Sequence, residues 1–231
     1  MEFALNHNNK RTHATDANKQ EVYICPLCRQ KVLFRSGGSN IDHFAHQSKC
    51  DDTWNYDMSN WHYEWQQQFP EGNREIVIES NRERHRADVM AYGYVIEFQH
   101  SPITSDEFNE RNRFYLSYGK KVIWIFDLIE EFEAGRIDCY DGWSGNNDNG
   151  GKFKWHYPKR FLQDYSPQRD KNIIVFFQFF GSQHTDSNQS YIERVTWAIE
   201  EGGRSNFRRF FTSYYPANLL ELREWIKERK L

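Results

Sequence analysis

The sequence predicts an α/β fold of the α+β kind: a mixed central sheet flanked by helices, preceded by a small zinc-binding module. Three observations predict it. Aromatic residues make up 17% of the 231 residues against 38% hydrophobics in all, so the core is built largely from rings, which favour sheet. Between residues 57 and 127 the apolar pattern changes in the order helix, strand, hairpin, helix, strand. Ahead of that segment, three cysteines and two histidines crowd into residues 25 to 50. The length suffices for one large domain or two small ones. The expected divisions are 1–56 for the metal module, 57–165 for the core, and 166–231 for a C-terminal part that completes the core or stands apart.

Each element has its own signal. "EVYIC" reads as a strand entering the cysteine pair at 25 and 28. In "MSNWHYEWQQQF", Trp61, Trp65 and Phe69 recur every four residues on one helical face, and Pro70 and Gly72 stop the helix. "EIVIES" is a strand, followed by "HRADVMAYGYVIEFQHS", two apolar strands around a tight turn at Tyr92 and Gly93. The next helix opens on a Thr104 or Ser105 cap with acids in its first turn, and Gly119 with two lysines behind it marks its end. "KVIWIFD" and "NIIVFFQFF" are unbroken apolar runs, the mark of strands buried on both faces. "RIDCY" and "KFKWHY" flank a polar Asn/Gly loop. Helices are expected at 190–200 and 217–230, the second opened by Pro216.

Composition bounds the function. A net charge of −3 removes any argument for nucleic-acid binding from overall charge, so such contact must come from local patches. The first nineteen residues hold no apolar stretch of signal-peptide length, and no run approaches the ~18 apolar residues of a membrane span. The expectation is a cytoplasmic protein with no membrane partner.

Cys25, Cys28, His43, His46 and Cys50 give five ligands where tetrahedral zinc needs four. Cys-x-x-Cys on a tight turn supplies two. The second pair comes from His46 and Cys50, in His-x3-Cys spacing, or from His43 and His46 on one helical turn. The alternative, a disulfide, is disfavoured where no secretion signal is found. A surplus of ligands favours a structural over a catalytic zinc. Cys139 stands alone, as a small buried hydrophobe.

The hairpin carries the sharper question. With Tyr92 and Gly93 as the turn, Asp88 faces Glu97 across the ladder, at ~5 Å between Cβ atoms, and like charges so placed destabilise a sheet. Gln99 shares the face of Glu97, and Arg86 lies beside Asp88 on its strand. Such a group of oxygens suits a hard cation, Mg²⁺ or Mn²⁺. The bland alternative is a solvated face neutralised by Arg86 and other basic residues.

"YICPLCRQKV", "HFAH", "RADV", "IEFQHS", the Arg and Tyr of "ERNRFY", and "VIWIF" stand in an order that resembles the competence protein CoiA-like family, over residues 20 to 128. The resemblance implies a zinc-finger-like N-terminal module and a nuclease domain of the PD-(D/E)xK, restriction-endonuclease-like superfamily. It implies that Asp88 and Glu97, with the carbonyl of Phe98, hold the divalent metal, and that the superfamily's usual lysine position falls on Gln99. Glu75 and Glu64 are both candidates for the remaining acid. The family's Glu-Ser-x-x-His run keeps Ser59 and His62 here and lacks the Glu.

The function so implied is metal-dependent hydrolysis of DNA phosphodiester bonds, in recombination, uptake or defence against foreign DNA. Gln99 cannot take a proton and can only orient water, which leaves the base to His85, His100, the substrate or the metal's water. Arg111 and Tyr115 share a helix face and either grip phosphate or shape the site. Arg84, Arg86 and their neighbours in "NRERHR" are candidates for a backbone grip, with Arg204, Arg208 and Arg209 as a weaker second patch. A protein partner would sit on the C-terminal region. The alternative reading is a zinc-containing nucleic-acid- or protein-binding module on the same fold that does not cut; Gln99 and the missing Glu favour it, and the Asp88–Glu97 pair favours the nuclease.

Overall fold

The computed structural model describes residues 1–37, 41–48, 50, 54, 59–80, 82–139, 152–156, 170–178, 195–200 and 208–217. They form an α+β structure with two sheets. The first sheet has the order β2-β1-β3-β4-β5, from β1 (Phe3–Leu5), β2 (Arg11–His13), β3 (Tyr23–Ile24), β4 (Lys31–Arg35) and β5 (His43–His46). Its small core gathers Ala4, Ala14, Tyr23, Cys25, Leu27, Val32 and Phe44. So few large aliphatics make a marginal core that needs a staple.

The second sheet runs β10-β11-β14-β13-β12-β9-β8-β7-β6. Its parallel part is β9 (Lys121–Asp127) between β8 (Tyr94–Gln99) and β12 (Ile173–Gln178). β6 (Arg74–Ser80) and β7 (Glu83–Ala91) extend it antiparallel on one side. β10 (Ile137–Cys139), β11 (Lys152–His156), β13 (Val195–Glu200) and β14 (Arg208–Ala217) extend it on the other. The two apolar runs read as doubly buried strands are so. On β9, Val122, Trp124 and Phe126 pack with Phe108, Phe114 and Tyr115 of α2 (Ser105–Ser117). The alternate residues Ile123 and Ile125 pack with Trp65 of α1 (Asn60–Gln67) and Phe69 just beyond it. The two helices therefore lie on opposite faces, and each large side chain so buried contributes about 1.5–3 kcal/mol.

Local chemistry fixes the helix ends. Ser59 caps α1, accepting from His62 N at 3.2 Å; Thr104 caps α2, accepting from Glu107 N at 3.1 Å. Gly119, at φ 76°, closes α2 in the left-handed region that glycine enters freely. The indoles of Trp61 and Trp65 both donate to Gln178 Oε1 at 2.9 Å, which pins α1 to the end of β12. No helix among the described residues is long and apolar enough to cross a membrane.

Two expectations are corrected here. The helix expected at 190–200 is strand β13 from Val195 to Glu200, paired with both β12 and β14. Val195, Trp197 and Ile199 alternate with Thr196, Ala198 and Glu200, a period of two with two β-branched residues and one aromatic on the apolar positions. Pro216, expected to open the last helix, instead pairs with Thr196 near the end of β14. The rest of the expected helix 217–230 and the Asn/Gly loop lie outside the described residues, as does Arg204. Arg208 and Arg209 begin β14, opposite His156 and Trp155, and Cys139 pairs with Phe153.

Candidate metal centres

The first centre is local. At the Cys-x-x-Cys turn, Arg29 N bonds Cys25 O at 3.0 Å, with Arg29 at φ 64°, and Leu27 N donates to Cys25 Sγ at 3.3 Å. Burial pushes the Cys25 thiol up, while the N–H groups of Cys28 and Leu27 bring it partly back. His46 comes in from β5, its Nε2 3.3 Å from Cys28 Sγ. One ligand atom from each of Cys25, Cys28, His46 and Cys50 lies within 4.8 Å of the others. Three thiols and an imidazole are the soft set that suits zinc, and this cluster can hold such a metal. His43 is not in it. The expected helical turn is strand β5, in which residues three apart point to opposite faces, so His43 turns away and its Nδ1 meets Ile41 O at 2.8 Å.

The second centre is a fork between strands. Tyr92 and Gly93 sit at φ 53° and 88°, the two positive values of a tight hairpin turn. That turn sets the expected register, Ala91↔Tyr94, Met90↔Val95, Val89↔Ile96, and there the ladder stops. Beyond it β7 stays with β6 and β8 with β9. Asp88 and Glu97 occupy the first position of the fork, and side chains replace the ladder: Phe98 N donates to Asp88 Oδ2 at 2.9 Å and Asp88 N to Glu97 Oε1 at 3.3 Å.

The expectation of one shared face is revised. Ala87 packs in the α2-side cluster and Val89 in the α1-side cluster, although they are two residues apart, so the alternation switches at Asp88. Opposite this switch, between the pairs Ile76↔Ala87 and Arg74↔Val89, Glu75 adopts a left-handed φ of 45°. Glu97 accordingly meets α2: Arg111 Nη1 lies 2.9 Å from its Oε2, and Tyr115 OH donates to its Oε1 at 2.8 Å. Asp88 meets α1: His62 Nε2 lies 3.1 Å from its Oδ1 and Gln66 Nε2 3.4 Å. Both carboxylates are buried, at 5% and 1% exposure. Burial and the charge of Asp88 push the Glu97 carboxyl up to about 7, against the pull of Arg111 and Tyr115. For Asp88, burial is outweighed by His62, the Phe98 N–H and Arg111, and its carboxyl is held below the usual range. The same pair raises His62 despite its burial.

The remaining sequence candidates fall as follows. Glu75 is buried and accepts from the N–H groups of Glu2 and Phe3 at 3.0 and 3.1 Å; burial is outweighed by Arg86 and these bonds, which hold it low. Glu64 is exposed on α1. Gln99 donates to Ser101 O at 2.6 Å and to its hydroxyl at 3.2 Å. Arg86 is buried; Arg84 is half-buried, pairs with Glu79 at 3.3 Å and donates to Pro26 O inside the Cys-x-x-Cys turn at 3.3 Å. Arg111 also holds Glu107 at 2.6 Å. His85 is buried, and His100 sets Nδ1 2.8 Å from Asp127 Oδ2. His62 and Gln66 are the contacts that residue-by-residue reading did not bring to Asp88; their spacing of one helical turn was the available signal.

Two family models match this chain: "Competence protein CoiA, N-terminal domain" over residues 6–52, and "Competence protein CoiA, nuclease-like domain" over residues 51–136. Comparisons with curated proteins and with solved structures give no match. The first match covers the Cys/His cluster and the second covers the fork with both of its helices. Together they run from residue 6 to 136, more than half of the 231, so the chain belongs to the competence protein CoiA family and carries its nuclease-like domain.

Proposed function

We propose that the protein is a divalent-metal-dependent deoxyribonuclease whose Mg²⁺ or Mn²⁺ is held by Asp88 and Glu97, with zinc at Cys25, Cys28, His46 and Cys50 as a structural staple. The observation that carries this is the fork: two buried carboxylates where two strands part, each accepting a hydrogen bond from the other's strand. Burial, with the charge of Asp88, pushes the Glu97 carboxyl up despite Arg111, and the donors are all oxygen, which fits a hard ion. When bound, the ion polarises a scissile phosphate and acidifies water beside it.

The chain's own residues have separate tasks. Arg111 and Tyr115 orient Glu97, and His62 and Gln66 orient Asp88, as outer partners of metal ligands generally do. Gln99 orients water. His100, steered by Asp127, is the nearby imidazole suited to accept a proton. Arg84 and the exposed Arg82 are the members of their run open to a DNA backbone, while buried Arg86 braces Glu75.

The test is cleavage of single-stranded, duplex and forked DNA with Mg²⁺ or Mn²⁺ by wild type, Asp88→Ala and Glu97→Ala. Cutting by wild type alone is expected; equal cutting by all three sinks the assignment. A second reading, a binding module that does not cut, draws on Gln99, whose amide is turned to Ser101. Binding of these DNAs without cutting by wild type favours it.

A further inference from the structure

Trp54 lies between Cys50 and α1, and at 5% exposure it is buried. Its indole stacks on His85 of β7, with ring centroids 3.5 Å apart and planes at 9°. Its edges meet Phe114 and Tyr115 of α2 at 5.7 and 5.6 Å, and its Nε1 donates to Glu110 Oε1 at 3.3 Å. Arg111 Cζ stands 5.1 Å from the ring centroid. One side chain thus touches the strand that carries Asp88 and both of the α2 groups that bond Glu97. Plain core packing accounts for the contacts with Phe114 and His85. It does not account for a guanidinium against the ring, where a desolvated cation gains from the aromatic quadrupole and is fixed in direction.

We infer that Trp54 is a positioning residue for the divalent metal: it holds Arg111 and Tyr115 against Glu97 and so sets the orientation of that carboxylate. Because it follows the cluster ligand Cys50 by four residues, it also ties the Cys/His module to the fork. This rests on the metal-dependent reading above.

The test compares full-length, zinc-loaded wild type, Trp54→Phe and Trp54→Leu, reading zinc content, the thermal melt, and Mn²⁺ affinity from the electron paramagnetic resonance of free Mn²⁺. Leu keeps apolar burial and removes the aromatic face; Phe keeps the face. The expected result is zinc retained in all three, Mn²⁺ affinity near wild type for Phe, and a loss of ~10-fold or more for Leu, the usual cost of losing an outer partner of a metal ligand. Equal Mn²⁺ affinity in Leu and Phe overturns the positioning role while leaving the metal site standing. No Mn²⁺ bound by wild type overturns the metal reading, and this inference with it.

Discussion

The Cys/His cluster and the carboxylate fork are both candidate metal centres, and they are built in opposite ways. The cluster draws its four groups from residues 25 to 50, on a short turn, the end of one strand and Cys50 just beyond it, around a core too small to hold itself. The fork draws on two helices and two strands between His62 and Tyr115, each carboxylate already held by charged or hydrogen-bonding neighbours. On the proposed reading, a metal at the first would hold the fold, while the second rests on a fold held by its own side chains, with the cation serving the chemistry. Removing a ligand should therefore unfold the first and only disarm the second.

The largest effect expected is at the cluster. Cys28→Ser should lose bound zinc and unfold the first sheet, because structural zinc contributes about 10–16 kcal/mol of apparent binding energy. His43→Ala should keep its zinc. Metal analysis with hydrogen exchange checks both, and retention of zinc by Cys28→Ser would break the contrast.

Next is the fork's scaffold. Arg111→Ala leaves Glu97 and Glu107 without their buried cation and should cost about 3–5 kcal/mol in chemical denaturation. A loss within error would mean that the fork is not held by charge.

The seam between the regions gives a pH test. Burial and the neighbouring Glu75 push the Glu2 carboxyl up to about 7, against the pull of Arg74, whose Nη1 lies 3.0 Å away. The unfolded carboxyl ionises near its ordinary 4.5, so between that pH and about 7 the folded chain holds more protons and stability falls as pH rises. Glu2→Gln should flatten that fall by roughly 1–3 kcal/mol between pH 5 and 8, read from melts at each pH. An unchanged slope would remove Glu2 from the seam's energetics. The smallest effect expected is from Ser59→Ala, about 1 kcal/mol for a lost N-cap, with α1 fraying beside His62. No change in α1 hydrogen exchange would speak against the cap.

What was legible in the sequence follows the same divide. Cys-x-x-Cys, the turn at Tyr92 and Gly93, the Thr104 cap and the doubly apolar runs of β9 and β12 are written in neighbouring residues, and each forms as read. The choice of His46 over His43 needed the knowledge that "HFAH" is extended, because strand parity then decides. Asp88 stands out as a carboxylate in an apolar run, yet its direction depends on a switch of alternation opposite Glu75, which no short window contains. His62 reaches Asp88 from α1, whose place on the sheet is fixed in part by Gln178, over a hundred residues later. At Val195–Glu200 the alternation of Val195, Trp197 and Ile199 marks a strand, and pairing with β12 and β14 on either side makes it one in place of the expected helix.

The most direct measurement is anomalous diffraction from crystals soaked in Mn²⁺, recorded at the manganese and zinc edges. The expected result is two separate peaks: zinc among Cys25, Cys28, His46 and Cys50, and manganese between the carboxylates of Asp88 and Glu97. A manganese peak elsewhere, with the fork holding none, would contradict the metal-dependent reading.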